Sequence, residues 1–496
     1  MSRGMWWSLL STVCTAGGSL LITPILVHTL GALEFGIYSL VIAFASYFGL
    51  FDLGLTWAAT RYFTEDLARA DSVALTERFR TLQIFFLGIG VACIIASIWI
   101  GPPMLRAAGA SSDTHTLLAL VMGTAAFTLA LQIQLFGALL RAAQHFAPFG
   151  RAITLGSALL PLGSYAMVRL GQGLLGLLAV NLIVNLVVLS VCWSFSVHTL
   201  RSRGQARRFD ISYLRQMLSF GGWSTLSRVV MIVMLQMDRL AVALIGQVSG
   251  LTYYAVPASV ASRINVLAGP ATSIFFARAS SLYAEKRSAE LMRQHARAFR
   301  FLLWSGVALG MPLIMAGPAF LSVWIGPEMA QRGGLILIVF AVGYSLTSIA
   351  SLDAVTIEAS GRAGWTATNM LLWCAPVIVG VASFAGRYGI AAIAFGIAAW
   401  QCGVAFTNII LCRRLGIPTS GRSWLGTLVT ASLAFAIGNI LRPYVTTVGS
   451  GLAVMSAVSL TALAVGSVAV LSSSDRTALV GFVSNSPISV QQMESL

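Results

Sequence analysis

Long apolar runs separated by short polar segments make up most of the chain. A helix needs about 20 apolar residues to cross the hydrocarbon core of a bilayer. Continuous runs of this length predict helices, because lipid offers no partners for the backbone groups of open strands. The pattern predicts fourteen membrane-spanning helices, at residues 5–28, 36–59, 82–101, 116–140, 152–169, 174–197, 216–245, 251–277, 299–323, 333–352, 366–385, 389–412, 424–441 and 450–471.

The composition agrees with an all-α integral membrane protein. Of 496 residues, 57% are hydrophobic and 9% are charged, whereas soluble domains carry about 25% charged residues. This balance excludes a cytosolic enzyme, a disordered protein and a secreted disulfide scaffold. The predicted loops are at most about 25 residues long, by comparison with domains of about 50 residues or more. They leave no room for a soluble catalytic domain, so the chain is not expected to be an enzyme.

The basic residues predict the orientation of the helices. The chain has 31 basic and 16 acidic residues, a net charge of +15. If the N-terminus is cytoplasmic, 23 basic residues fall in inside segments and 5 in outside segments. Lys and Arg concentrate on the cytoplasmic side of membrane proteins, so both termini are predicted to be cytoplasmic. The excess charge then faces anionic lipid headgroups, and no nucleic-acid partner is expected.

Two halves of the sequence match at an offset of about 215–220 residues. Gly31 and Tyr38 have the same spacing as Gly246 and Tyr253, and each pair is placed at an outside turn. Two six-helix lobes related by a parallel repeat, a common plan among transporters, explain the match. Chance similarity among apolar segments is the alternative. The predicted domains are residues 1–215 (helices 1–6), 216–415 (helices 7–12) and 416–496 (two further helices and a cytoplasmic tail).

Arginines lie deep inside two predicted helices, where each charge costs a few kcal/mol. Arg228 is about 18 Å along the seventh helix, and Arg263 is about 21 Å from the inner end of the eighth. We expect a hydrated cavity in which both bind an anionic group, since guanidinium forms paired hydrogen bonds with phosphate. The alternative is structural, with the arginines paired to Asp238 or Asp52 or extended towards the headgroups.

Three further charged residues belong to this set. Arg239 lies on nearly the same face as Arg228, closer to the outer interface, where a structural role is the simpler interpretation. Asp238 is a candidate partner of Arg263 or Arg239. Asp52 is a candidate proton or cation site, or a hydrogen-bond partner of a neighbouring helix.

The first helix carries a stripe of hydroxyl side chains within about 80° on a helical wheel. The stripe predicts either a polar wall of a lumen or close helix packing through small residues. No cysteine or histidine spacing is typical of a metal site, and no cofactor motif is present in the sequence. The stripe consists of Ser8, Thr12, Thr15, Ser19 and Thr23.

Two stretches of sequence resemble a known family. The first runs from Pro24 to Tyr38 and continues with Phe51-Asp52-Leu53-Gly54-Leu55. The second contains Asp238-Arg239, Ile245-Gly246 and Tyr253. Both resemble polysaccharide flippases of the O-antigen type, within the multidrug/oligosaccharidyl-lipid/polysaccharide exporter superfamily. Pro257 departs from the family pattern and predicts a kink in the eighth helix.

The resemblance implies two lobes around a central cavity and transport by alternating access. It implies that undecaprenyl-pyrophosphate-linked oligosaccharides are flipped across the cell inner membrane for surface polysaccharide synthesis. The expected partners are this substrate and membrane lipids, with other polysaccharide-assembly proteins as further candidates. A multidrug/cation antiporter or a lipid II flippase is the alternative. Such antiporters typically use an acidic residue in the first helix, where this chain has only hydroxyls.

Replacing Arg228 and Arg263 together by alanine is expected to abolish transport, because the cavity loses both positive charges. Complementation of a flippase-deficient strain measures transport, and an immunoblot of membranes checks that the protein level is unchanged. Transport that survives in the double variant contradicts the anion-cavity hypothesis.

Overall fold

The computed structural model describes residues 3–52, 54–111, 113–201, 210–219, 222–417, 421–473 and 475–477. Within these ranges every regular element is helical, which confirms the predicted all-α membrane fold. Ten helices in the described part of the chain are long and apolar enough to cross a membrane. The figure of fourteen crossings stays a prediction.

The contacts divide the chain into two compact units, Met1–Ala255 and Val256–Leu496. The division falls inside the long helix α8, whereas the predicted lobe boundary at residue 215 stays a prediction. The first unit contains α1 Arg3–Tyr47, α2 Leu55–Ala68, α3 Ser72–Ala107, α4 Thr114–Ala142, α5 Phe146–Arg169, α6 Gly173–Arg201, α7 Ile211–Ser219 and most of α8 Gly222–Ser262.

The second unit begins with the end of α8. It includes both C-terminal helices expected from the sequence, and residues 478–496 of the predicted tail lie outside the described residues. Its helices are α9 Ala268–Ala284, α10 Ser288–Met315, α11 Gly317–Trp324, α12 Pro327–Ala359, α13 Ala363–Tyr388, α14 Ile390–Arg414, α15 Gly421–Leu441 and α16 Val448–Ala469.

Helix α1 is broken at Gly31, which has φ 73° and ψ 172°. Glycine adopts such a conformation without the steric penalty of a Cβ atom. Next to the break, the carbonyl of Ala32 accepts a hydrogen bond from Thr252 Oγ1 at 2.6 Å. The two arms of α1 correspond to the first predicted helix and the start of the second.

The predicted second helix, 36–59, is wrong in its second half. Its helical backbone ends at Tyr47 and is followed by a 3₁₀ segment, Phe48–Asp52. Gly54 then takes a left-handed conformation, φ 74°, and α2 begins at Leu55. Hydropathy does not show such a break, because the residues on both sides of it are mostly apolar.

Helix α8 reverses direction within its 41 residues. Asp238 and Tyr254 are 16 positions apart, about 24 Å along a straight helix, yet their side chains are hydrogen-bonded at 2.8 Å. The backbone N–H of Val248 donates to the carbonyl of Ala108 at 3.1 Å, outside the helix. The chain therefore turns back near Val248, in agreement with the turn predicted between residues 245 and 251.

The eighth predicted helix, 251–277, differs from the structure in two ways. It is interrupted by a second 3₁₀ segment, Arg263–Val266, and it continues as α9 to Ala284. Pro270, in the first turn of α9, has no N–H to continue the hydrogen-bond ladder from the preceding turn. Pro257 itself lies inside α8. The depth of about 21 Å for Arg263 assumed an unbroken helix ending at residue 277, so the structure does not support that assumption and the depth stays a prediction.

The two units share an order of helices and turns, which supports the predicted repeat. Ala70 and Lys286, with φ 54° and 57°, precede α3 and α10. Gln144 and Gly361, with φ 59° and 78°, precede α5 and α13. The offset between Gln144 and Gly361 differs by a single position from the offset between Ala70 and Lys286. A residue other than glycine pays about 1–2 kcal/mol for a left-handed conformation. Left-handed residues that recur at nearly one offset therefore indicate a similar backbone path in the two units.

Gly36→Ala is expected to destabilise the protein by about 1–3 kcal/mol, the usual effect of overpacking. A Cβ at Gly36 would overlap the backbone carbonyl of Val248, which cannot move as a side chain can. Thermal unfolding of the purified protein in detergent measures the change. Gly17→Ala, also in α1, is the matched control because nothing lies within 4 Å of its Cβ position. Equal melting temperatures for the two variants would contradict the packing of α1 on α8.

Candidate functional site

Asp238 is a buried carboxylate in the first unit, 7% exposed. Its Oδ2 accepts a hydrogen bond from the hydroxyl of Tyr254 at 2.8 Å, and its Oδ1 accepts from the backbone N–H of Arg239 at 2.6 Å. Tyr254 is fully buried. Both carboxylate oxygens therefore have donors, which is what allows a charged group to remain in an apolar region.

Arg239 and Tyr47 complete a group that we call the Asp238 cluster, consisting of Tyr47, Asp238, Arg239 and Tyr254. The charge of Arg239 interacts with both Asp238 and Tyr47. The Arg239 side chain is half-buried. Among the described residues, no ion pair within 4.0 Å includes its guanidinium, so the contact between Arg239 and Asp238 is made by the backbone N–H.

The cluster lies far from the reversal of α8. Asp238 is ten residues from Val248, about 15 Å along the helix axis. The hydrocarbon core of a bilayer is about 30 Å thick. If the reversal is at the outer interface, as the predicted orientation places it, Asp238 and Arg239 are close to the middle of the membrane.

Arg228 and Arg263 are the other two arginines of the predicted site. Arg263 is the half-buried first residue of the 3₁₀ segment in the second unit. The backbone of Arg228 belongs to α8, but its side chain lies outside the described residues. The joint binding of pyrophosphate by Arg228, Arg239 and Arg263 stays a prediction.

Asp52 has a structural role in the first unit. Its Oδ1 accepts hydrogen bonds from the backbone N–H of Thr56 at 3.2 Å and from the Thr56 hydroxyl at 2.5 Å. Thr56 lies in the first turn of α2, whose N–H groups have no partners within the helix. Asp52 therefore caps α2.

Within the hydroxyl stripe, Thr15 contacts a neighbouring helix and Thr23 contacts the backbone of α1. The hydroxyls of Thr15 and Ser157 on α5 are 2.9 Å apart, and the Thr23 hydroxyl donates to the carbonyl of Ser19 at 2.6 Å. Gly18 packs on Pro161 of α5, where an added Cβ would lie 2.7 Å from the ring. These contacts support helix packing on this part of α1. The side chains of Ser8 and Thr12 lie outside the described residues.

A buried polar trio in the second unit was missed from the sequence. His295 Nε2 and Asp353 Oδ1 are 2.9 Å apart, with the two side chains 1% and 0% exposed. The Sγ atom of Cys412 lies 3.5 Å from the Asp353 carbonyl. His295 falls between the predicted membrane helices 251–277 and 299–323, whereas in the structure it lies inside α10. The three residues are far apart in sequence on three different helices, so spacing could not have revealed them.

Comparison with known proteins agrees with the transporter expectation. Residues 1–276 match the family described as polysaccharide biosynthesis protein. A putative O-antigen transporter of Shigella flexneri is 23% identical over 360 residues, which cover 71% of this chain and 82% of that protein.

Two solved structures share the fold. The lipid II flippase MurJ, in an inward-closed conformation, has a TM-score of 0.69 at 14% identity and covers 94% of this chain and 98% of its own. An inward-facing multidrug resistance MATE transporter of the MOP superfamily has a TM-score of 0.61 at 16% identity, covering 84% and 95%. At these identities the likeness shows the fold.

The similarity to a putative O-antigen transporter, together with the ten helices of the described residues that could cross a membrane, supports a multi-pass membrane transporter. Since the match covers more than half of its 496 residues, the chain belongs to the polysaccharide biosynthesis protein family.

Proposed function

We propose that this protein flips undecaprenyl-pyrophosphate-linked oligosaccharide units across the cell inner membrane by alternating access, for cell-surface polysaccharide synthesis. The family match and the similarity to a putative O-antigen transporter support this substrate class. The substrate carries a pyrophosphate, which needs a positive partner when it crosses an apolar region.

The observation that carries the proposal is the position of Arg239 beside Asp238. Both oxygens of Asp238 are already hydrogen-bonded, by Tyr254 and by the Arg239 backbone. The Arg239 guanidinium can therefore bind a phosphate oxygen while the carboxylate stays satisfied. Arg228 and Arg263 are the other proposed pyrophosphate ligands, and the hydroxyl stripe of α1 is a proposed contact for the sugars.

Lipid II transport is a second candidate function. The MurJ fold covers 94% of this chain, whereas the MATE fold covers 84%. The larger coverage favours a flippase over a multidrug antiporter. The absence of any acidic residue in the first 28 positions also separates this sequence from such antiporters.

Purified protein in proteoliposomes is expected to flip a polyprenyl-pyrophosphate oligosaccharide faster than lipid II, and to leave a cationic dye untransported. Accessibility of the head group to an added enzyme measures flipping, and dye fluorescence measures antiport. Faster flipping of lipid II would establish the second candidate. Dye export without flipping would exclude both flippase functions.

Arg239→Ala is expected to slow flipping about tenfold or more, because a charge-assisted hydrogen bond to phosphate contributes about 1.5–3 kcal/mol. Arg332→Ala is the matched control, since Arg332 is 59% exposed and pairs with Glu328 on the surface of α12. Equal flipping rates for the two variants would remove Arg239 from the pyrophosphate site.

Asp238 is the proposed coupling carboxylate if transport uses a proton gradient. Asp238→Asn keeps an acceptor for the Tyr254 hydroxyl but cannot change charge, so stimulation of flipping by a pH gradient is expected to disappear. Asp52→Asn, which changes the acceptor at the first turn of α2, is expected to keep that stimulation. A wild-type rate that does not respond to the gradient contradicts proton coupling.

A further inference from the structure

The trio His295, Asp353 and Cys412 is the most unusual buried group of the second unit. It lies on α10, α12 and α14, and all three residues are at most 1% exposed. We propose that these side chains form a zinc site at one end of the three helices. The proposal is independent of which lipid-linked substrate the protein transports.

The geometry brings three kinds of ligand atom together. The imidazole nitrogen, a carboxylate oxygen and the thiol sulfur all lie within 4.8 Å of one another. Tetrahedral zinc sites with bonds of about 2.0–2.3 Å require ligand atoms about 3.4–3.8 Å apart. To surround an ion, the ligand atoms of His295 and Asp353, now 2.9 Å apart, would separate slightly, and any pair near the 4.8 Å limit would approach by about 1 Å.

Asp353 supplies an independent observation that points to a bound cation. Its Oδ1 pairs with His295, but its Oδ2 is buried and has no hydrogen-bond partner among the described residues. A buried polar atom without a partner costs about 1–3 kcal/mol, and more when it is charged. A cation bound between Asp353 and Cys412 would remove this cost.

The first unit shows that the fold does not need a polar group here. His295 corresponds to Phe79 at the offset that relates Lys286 to Ala70, and Asp353 corresponds to Phe136 at the offset that relates Gly361 to Gln144. Phe79 and Phe136 are buried and pack edge to face, with ring centroids 5.0 Å apart. Buried ion pairs can often be replaced by apolar residues without loss of stability. The polar pair in the second unit therefore points to a role beyond packing.

The donor set selects the kind of ion. Nitrogen, oxygen and sulfur ligands together suit zinc, whereas magnesium and calcium prefer oxygen alone. In such a site Cys412 would coordinate as thiolate, with its proton released to solvent, and His295 would coordinate through an imidazole nitrogen that carries no proton. Three protein ligands leave a fourth position open. Zinc would tie together α10, α12 and α14.

The test uses the full chain in detergent, purified without a polyhistidine tag and treated with a chelator. Cobalt is added as an optical probe and is then displaced by zinc. We expect one equivalent of metal per chain and a thiolate-to-cobalt charge-transfer band that zinc removes. A chain that binds no stoichiometric metal overturns the proposal.

Variants identify the ligands. Cys412→Ser and His295→Phe are expected to lower zinc affinity by about 100-fold or more, and Cys412→Ser to remove the charge-transfer band. Cys192→Ser, at an equally buried cysteine in α6, is the matched control and should retain both. A variant in which all cysteines except Cys412 are replaced by serine should also keep the band. Stoichiometric binding that survives in both Cys412→Ser and His295→Phe assigns the metal to other residues and overturns the site.

Discussion

A helix inside a membrane can break only where another group takes up the backbone atoms that the break exposes. In the first unit this constraint is met by two contacts. Thr252 donates to the carbonyl of Ala32 beside the break of α1, and the N–H of Val248, at the reversal of α8, donates to Ala108 at the end of α3. The breaks of α1 and α8 and the end of α3 are therefore held together, and the path of α8 follows from them.

The reversal of α8 also explains why a carboxylate is tolerated beside it. Only a chain that turns back can bring Tyr254 to Asp238, and only then does the carboxylate have a side-chain donor. At the offset that pairs Gly31 with Gly246, Asp238 corresponds to Thr23 and Arg239 to Pro24. The α1 counterparts of Asp238 and Arg239 are thus uncharged. The two halves of the predicted repeat therefore differ in chemistry at these positions.

The apolar runs of the sequence predicted most helices, because hydropathy follows contact with lipid. The predicted helix bounds were least accurate where a helix continues beyond its apolar run into a polar segment that packs against protein. Helix α10 begins at Ser288, well before its predicted start at Phe299, and this extension buries His295. The 3₁₀ segments at Phe48–Asp52 and Arg263–Val266 depend on local backbone geometry that composition does not encode. The candidate residues could be named from the sequence, but their partners could not, since Asp238 and Tyr254 meet only after the chain folds back.

The left-handed turn between α9 and α10 has a practical consequence. Its central residue, Lys286, is exposed and is the single lysine in the chain. Besides the α-amino group, amine-directed chemistry would therefore label one side chain, on the short turn between α9 and α10. A fluorophore or spin label attached there would report on the α9–α10 junction in a native chain, without the removal of any cysteine.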